Sequence, residues 1–91
     1  MTHAVVLVKA ERSALATLGP ELADLEGVAE VYSVTGEWDF VAMVRVGREG
    51  SLADLVTKRL STVEGIARTH TMVAFEVYSQ HDLEALFSIG Q

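Results

Sequence analysis

Ala4 to Lys9 is a run rich in β-branched residues and too short for a buried helix, so it predicts a first strand. From Ser13 onward Leu15, Leu18, Leu22 and Leu25 recur at the spacing of one helical face. Gly19-Pro20 interrupts that face. Proline offers no N–H to the carbonyl of Ala16, so a kink is expected, or a restart with Pro20 at the first position of a new turn. Gly27 closes the helical pattern, Val28 to Thr35 predicts a second strand, and Gly36 a tight turn into a third strand from about Asp39 to Val46. After a loop over Gly47 to Gly50, Ser51 and Asp54 fit a capping box for a helix with Leu52, Leu55, Val56, Leu60 and Val63 on one face. Gly65 ends it, and Ile66 to Tyr78 predicts a long fourth strand. A short last helix over Asp82 to Ile89 has Leu83, Leu86, Phe87 and Ile89 as its apolar side, with Ser79 and Asp82 at its start and Gly90 at its end.

The predicted order is βαββαβ plus a C-terminal helix. A faint internal repeat supports it: Glu26-Gly27-Val28-Ala29 recurs as Glu64-Gly65-Ile66-Ala67, and Leu15-Ala16-Thr17-Leu18 is echoed by Leu52-Ala53-Asp54-Leu55. Two helix, Glu-Gly turn, strand units joined by a hairpin make an α+β, ferredoxin-like sandwich with both main helices on one face of a four-stranded antiparallel sheet.

In that topology the first and third strands are central, and both are apolar on both faces. Ala4, Val6 and Val8 oppose Val5 and Leu7; Phe40, Ala42, Val44 and Val46 oppose Val41 and Met43. Two helices cover one side only, and a solvated antiparallel face should be polar. The second face therefore needs an apolar partner. Packing against the sheet of a second copy, as in a dimeric α+β barrel, is one answer; the C-terminal helix folded back over the face is the other.

Length and composition narrow the class. Ninety-one residues make one domain, spanning 1–91, and 49% apolar with 22% charged residues is the balance of a folding chain. A formal charge of −6 is the wrong sign for a nucleic-acid module. The chain has no cysteine, which excludes disulfides and thiolate chemistry. Neither a membrane span nor a signal peptide is evident, and a soluble cytoplasmic protein is expected. His3, His70 and His81 lie far apart, so no metal site is expected; the chain has no Gly-rich phosphate loop and no nucleophile elbow, and no cofactor is expected.

The most distinctive segment runs from Val31 to Phe40: a strand end, a glycine free to take positive φ, then Glu37, Trp38 and Asp39 leading into the next strand. Taken alone this is also a plain hairpin in which Asp39 caps turn amides and Trp38, the only tryptophan, packs locally. Together with Glu26-Gly27-Val28, with Glu64-Gly65-Ile66 and with Arg68-Thr69-His70-Thr71 beyond it, the Val-Thr-Gly-x-Trp-Asp run resembles the effector-binding (RAM) domain of the Lrp/AsnC, or feast/famine, transcriptional regulators. The resemblance covers nearly the whole chain. Family members that act on promoters carry an N-terminal helix-turn-helix domain. This chain starts at the first strand of the effector domain, so a stand-alone form is expected.

The resemblance implies a homodimer made by packing two sheets face to face, a ring of such dimers, an octamer when four join, and a small amino-acid effector bound between neighbouring dimers. It implies no catalytic residue and no cofactor. It places Gly36, Glu37, Trp38 and Asp39 at the ligand cleft, with turn amides for the carboxylate and Asp39 for the ammonium, while Thr69 and Thr71 offer hydroxyls. Full-length relatives become candidate partners; nucleic acid and membrane do not. Two other classes share the fold. A small ferredoxin-like enzyme of the cofactor-free monooxygenase or isomerase type would need Tyr32, His70 and Asp39 in one pocket, and an ACT-like sensor would need a glycine where Lys9-Ala10-Glu11-Arg12 has none.

Overall fold

The computed structural model describes residues 1–78, so the expected last helix and its caps lie outside the described residues. Four strands, β1 (Thr2–Ala10), β2 (Val28–Ser33), β3 (Phe40–Val46) and β4 (Ile66–Ala74), form one antiparallel sheet in the order β2-β3-β1-β4. The expected α+β, ferredoxin-like order of strands is the observed one. Among the described residues no helix is long and apolar enough to cross a membrane.

The period-two pattern is reproduced side chain by side chain. Ala4, Val6, Val8 and Ala10 of β1 and Phe40, Ala42, Val44 and Val46 of β3 are buried beneath the helices with Leu18, Leu22, Leu52, Leu55 and Leu60. Val5, Leu7, Val41 and Met43 point the other way and are only half-buried. On β4 the register pairs Val8 with Thr69 and Val6 with Thr71 on the helix side, and Leu7 with His70 and Val5 with Met72 on the open side.

The helices are shorter and more broken than their sequence spacing predicts. A 3-10 turn (Arg12–Ala14) precedes α1 (Leu18–Ala23), so Leu15 lies outside the helix and stays 48% exposed. Pro20 is the third residue of α1, still within the first turn where an N–H has no intrahelical acceptor to lose. Beside it, a Cβ on Gly19 would stand 3.2 Å from the Phe40 ring, which shows how closely α1 approaches β3. The Ser51 capping box does not form. The second helix, α2 (Glu49–Asp54), starts earlier, behind Arg48, whose side chain makes no capping hydrogen bond. It runs on into a π-helical stretch (Leu55–Arg59) and a 3-10 turn (Leu60–Thr62). Thr57 and Ser61 hydroxyls donate to carbonyls four residues back there, at 2.7 Å each, a local competition that loosens helical geometry. β4 ends at Ala74, short of the expected Tyr78.

One corner of the sheet is fastened by Asp39. Its amide donates to the carbonyl of Val8 (2.9 Å) and its carbonyl accepts from Val34 (3.0 Å). Its Oδ2 accepts the amide of Ala10 (2.8 Å) and stands 3.7 Å from Lys9 Nζ. The Ala10 amide lies one step past Val8–Phe40, the last pair of the β1–β3 register, so the carboxylate continues the β3 side of the ladder by one bond.

Two stability predictions follow from these fastenings. Gly65 has φ +97° and an added Cβ would meet the Ala14 Cβ at 2.5 Å, whereas Gly36, at φ +107°, faces open space. Gly65→Ala should cost about 2–4 kcal/mol and Gly36→Ala about 1–2 kcal/mol in urea unfolding. Asp39→Ala should cost about 1–3 kcal/mol by leaving the Ala10 amide without an acceptor, and Asp39→Asn, which keeps a carbonyl oxygen there, should cost less.

Candidate functional site

The loop from Val34 to Asp39 leaves β2 and re-enters the sheet as β3, and Gly36 gives it the positive φ it needs at its tip. Beyond the tip the chain folds toward the open face of β4. The Trp38 ring lies 6.2 Å from the His70 ring, tilted by 42°, and the Arg68 guanidinium stacks over Trp38 at 4.9 Å. The same guanidinium contacts Glu37 through Nη2 to Oε1 at 3.5 Å. Arg68 and His70 are thus the residues of β4 that the turn meets. Their role was missing from the sequence-based site, although the Arg68-Thr69-His70-Thr71 alternation already puts the two basic side chains on one face and the two threonines on the other.

The structure brings Glu37, Trp38 and Asp39 together with Gly36 in this loop and sets Thr69 and Thr71 apart from them. Both threonines lie on the helix side of β4, and Thr69 lines a cavity of about 220 Å³ with Val56, Leu60 and Ser61. Asp39 does not cap the turn amides expected of a plain hairpin: its side chain is 20% exposed and engaged with Ala10 and Lys9 of β1. Glu37 and Arg68 are open to solvent, at 74% and 59% exposure of their side chains. Charge at this end of the open face alternates, with Lys9 and Arg68 paired across the β1–β4 register and Asp39 and Glu37 beside them.

Two further cavities lie away from the turn. One of about 420 Å³ runs between α1 and β2, lined by Leu15, Pro20, Val31 and Phe40. The other, about 230 Å³, is at the far end of β3, lined by Glu26, Arg45, Ser51, Asp54 and Arg59. Arg59 is pinned there to the Glu26 carbonyl at 3.0 Å.

The enzyme-like convergence is not formed. Tyr32 and His70 sit at opposite ends of one open-face row that runs through Val41 and Leu7, three strand spacings or about 14 Å apart. Tyr32 donates to Glu30 at 2.9 Å, which raises its phenol above the ordinary value. Among the described residues no group of three His, Asp or Glu side chains gathers as a metal site would require.

Comparison with known proteins places this geometry in a family. The model of the Lrp/AsnC ligand binding domain matches residues 3–83. An uncharacterized HTH-type transcriptional regulator of Pyrococcus furiosus is 32% identical over 77 residues, which cover 81% of this chain and 51% of that protein. The chain thus spans about half the length of the regulators it matches. A crystal structure from Thermus thermophilus superposes with a TM-score of 0.81 at 42% identity, covering 88% of this chain and 100% of that one. A Neisseria meningitidis transcriptional regulator, solved as a complex with L-Met, shares the fold at a TM-score of 0.76 and 14% identity, with 87% and 53% of the two chains covered. The chain belongs to the Lrp/AsnC ligand-binding domain family, and the curated relatives it matches are HTH-type transcriptional regulators.

Proposed function

We propose that this domain is a non-catalytic sensing and assembly module in transcription regulation, working as a homodimer and taking a small amino acid at the Gly36 to Asp39 turn. The observation that carries the dimer is the open sheet face. Val5, Leu7, Val41 and Met43 are half-buried there, and Met72 beside them is 44% exposed, although none belongs to a solvated surface by chemistry. Full burial of such side chains contributes roughly 1.5–3 kcal/mol each, so two copies packed through this face would gain a core that one copy lacks.

The amino-acid effector is supported by the family and by the L-Met complex of the Neisseria relative. It also suits the paired charges at the turn, since a zwitterion leaving water needs a partner of each sign. Because Thr69 and Thr71 occupy the opposite side of the sheet from the turn, one ligand touches both sets only where a second copy supplies one of them. That favours a site between protomers and a ring of dimers, in which a full-length relative would find the same surfaces.

Met43→Asp, which places a charge twice in a two-fold interface, should weaken self-association by roughly a hundred-fold or more. Sedimentation velocity at micromolar concentration checks it, and a monomeric parent protein would overturn the dimer. Light scattering with and without each of the common amino acids tests effector-linked assembly. Mobility-shift titration at low salt should show no binding of duplex DNA by the 91-residue chain, because its −6 charge repels the phosphate backbone.

A further inference from the structure

Asp39 is poorly placed to receive a ligand's ammonium. Its inner oxygen already accepts the Ala10 amide, Lys9 stands beside it, and giving up either contact would loosen the β1–β3 corner. Glu37 has no such duty. Its one ionic contact among the described residues is the 3.5 Å pair with Arg68, both side chains are mostly in water, and exposed pairs of that kind contribute little. The guanidinium carries five N–H donors in a planar fork, and Glu37 engages one nitrogen. The guanidinium carbon stands 4.9 Å from the centre of the Trp38 ring, within cation–π range.

We propose that Glu37 and Arg68 are a ligand-opened clamp for the zwitterionic head of an α-amino acid: Arg68 turns its fork to the carboxylate, Glu37 takes the ammonium, and the Trp38 ring keeps the guanidinium over its face. The exchange replaces one long, solvated ion pair with two charge-assisted contacts, the stronger kind. A ligand with only one of the two charges would break the Glu37–Arg68 pair and satisfy only one of its members, so the clamp selects for both groups. The clamp lies at the charged end of the open face, one row beyond Leu7, Val41 and His70, so sheet-to-sheet packing through the apolar rows leaves it accessible. The inference rests on the turn being the effector cleft.

Trp38 is the only tryptophan in the chain, so its fluorescence reports the clamp directly. Isothermal titration of the parent protein with the common amino acids, followed by the α-amide and the N-acetyl derivative of any that binds, should show binding of the free amino acid with a change in Trp38 emission. Each derivative should bind roughly ten-fold more weakly or worse. Arg68→Gln and Glu37→Gln should each weaken the free amino acid by a similar factor, while their unfolding midpoints and sedimentation stay those of the parent. In Arg68→Gln the α-amide should bind about as well as the free amino acid, because the carboxylate has lost its partner. Arg68→Lys should restore only part of the affinity, since it keeps the charge without the fork. If the parent binds an amino acid and both glutamine variants bind it equally well, the clamp is wrong and effector sensing stands. If no amino acid binds the parent, clamp and effector reading fall together.

Discussion

Val5, Leu7, Val41 and Met43 lie on the side of β1 and β3 that α1 and α2 leave uncovered, and much else in this molecule follows from their being apolar. Helix-side neighbours one residue along, such as Val6, Val8 and Val44, are 0–1% exposed. The sheet therefore has one finished face and one unfinished face made of the same kinds of side chain. A one-residue slip of register would bury Lys9 and Arg45 and expose Val8 and Val44, so the finished face also dictates the register. The unfinished face leaves Val5, Leu7, Val41 and Met43 only half-buried in a single copy.

The same register sorts the chemistry at the edge of the sheet. Parity along β4 sends Arg68 and His70 to the unfinished face, where the Trp38 turn reaches them, and sends Thr69 and Thr71 to the helix side. The residues expected to share a ligand are thereby divided between two surfaces of one protomer. A cleft that uses both surfaces is a property of an assembly.

How far the sequence announced this differs from element to element. The strands were legible because short runs of β-branched residues between turn signals fit a strand and little else, and Gly27, Gly36 and Gly65, which take positive φ, stand at the turns expected of them. The helices were legible in existence and not in extent. Leu15 has the right spacing for the helical face, yet the chain before Leu18 is a short 3-10 turn and leaves it half-exposed. Ser51 and Asp54 have the right chemistry for a cap, yet helix begins at Glu49, because burying Leu52, Leu55 and Leu60 together decides where the segment winds. At the turn, the sequence showed Glu37, Trp38 and Asp39 as neighbours, but what each touches depends on strands brought beside them. Arg68 and Ala10 are far from the turn along the chain, and only the β3-β1-β4 order puts both within its reach.

These contacts give the turn two ends of unequal firmness. Asp39 is tied through its amide, its carbonyl and its carboxylate to β1 and to the end of β2, so the root of the loop moves only if the sheet does. Gly36, at the tip, has nothing within 4 Å of where a Cβ would stand, in contrast to Gly27 and Gly65, which pack against Val46 and Ala14. Between root and tip, the ties to β4 among the described residues are the exposed Glu37–Arg68 pair and the stacking of Trp38 on Arg68 and His70. The ion pair exchanges cheaply with other charged groups, because water already shares it and screening has already reduced its strength. A loop with a fixed root and an open tip can rearrange at that tip without disturbing the central sheet, and the unequal anchoring puts the freedom at Gly36 and Glu37.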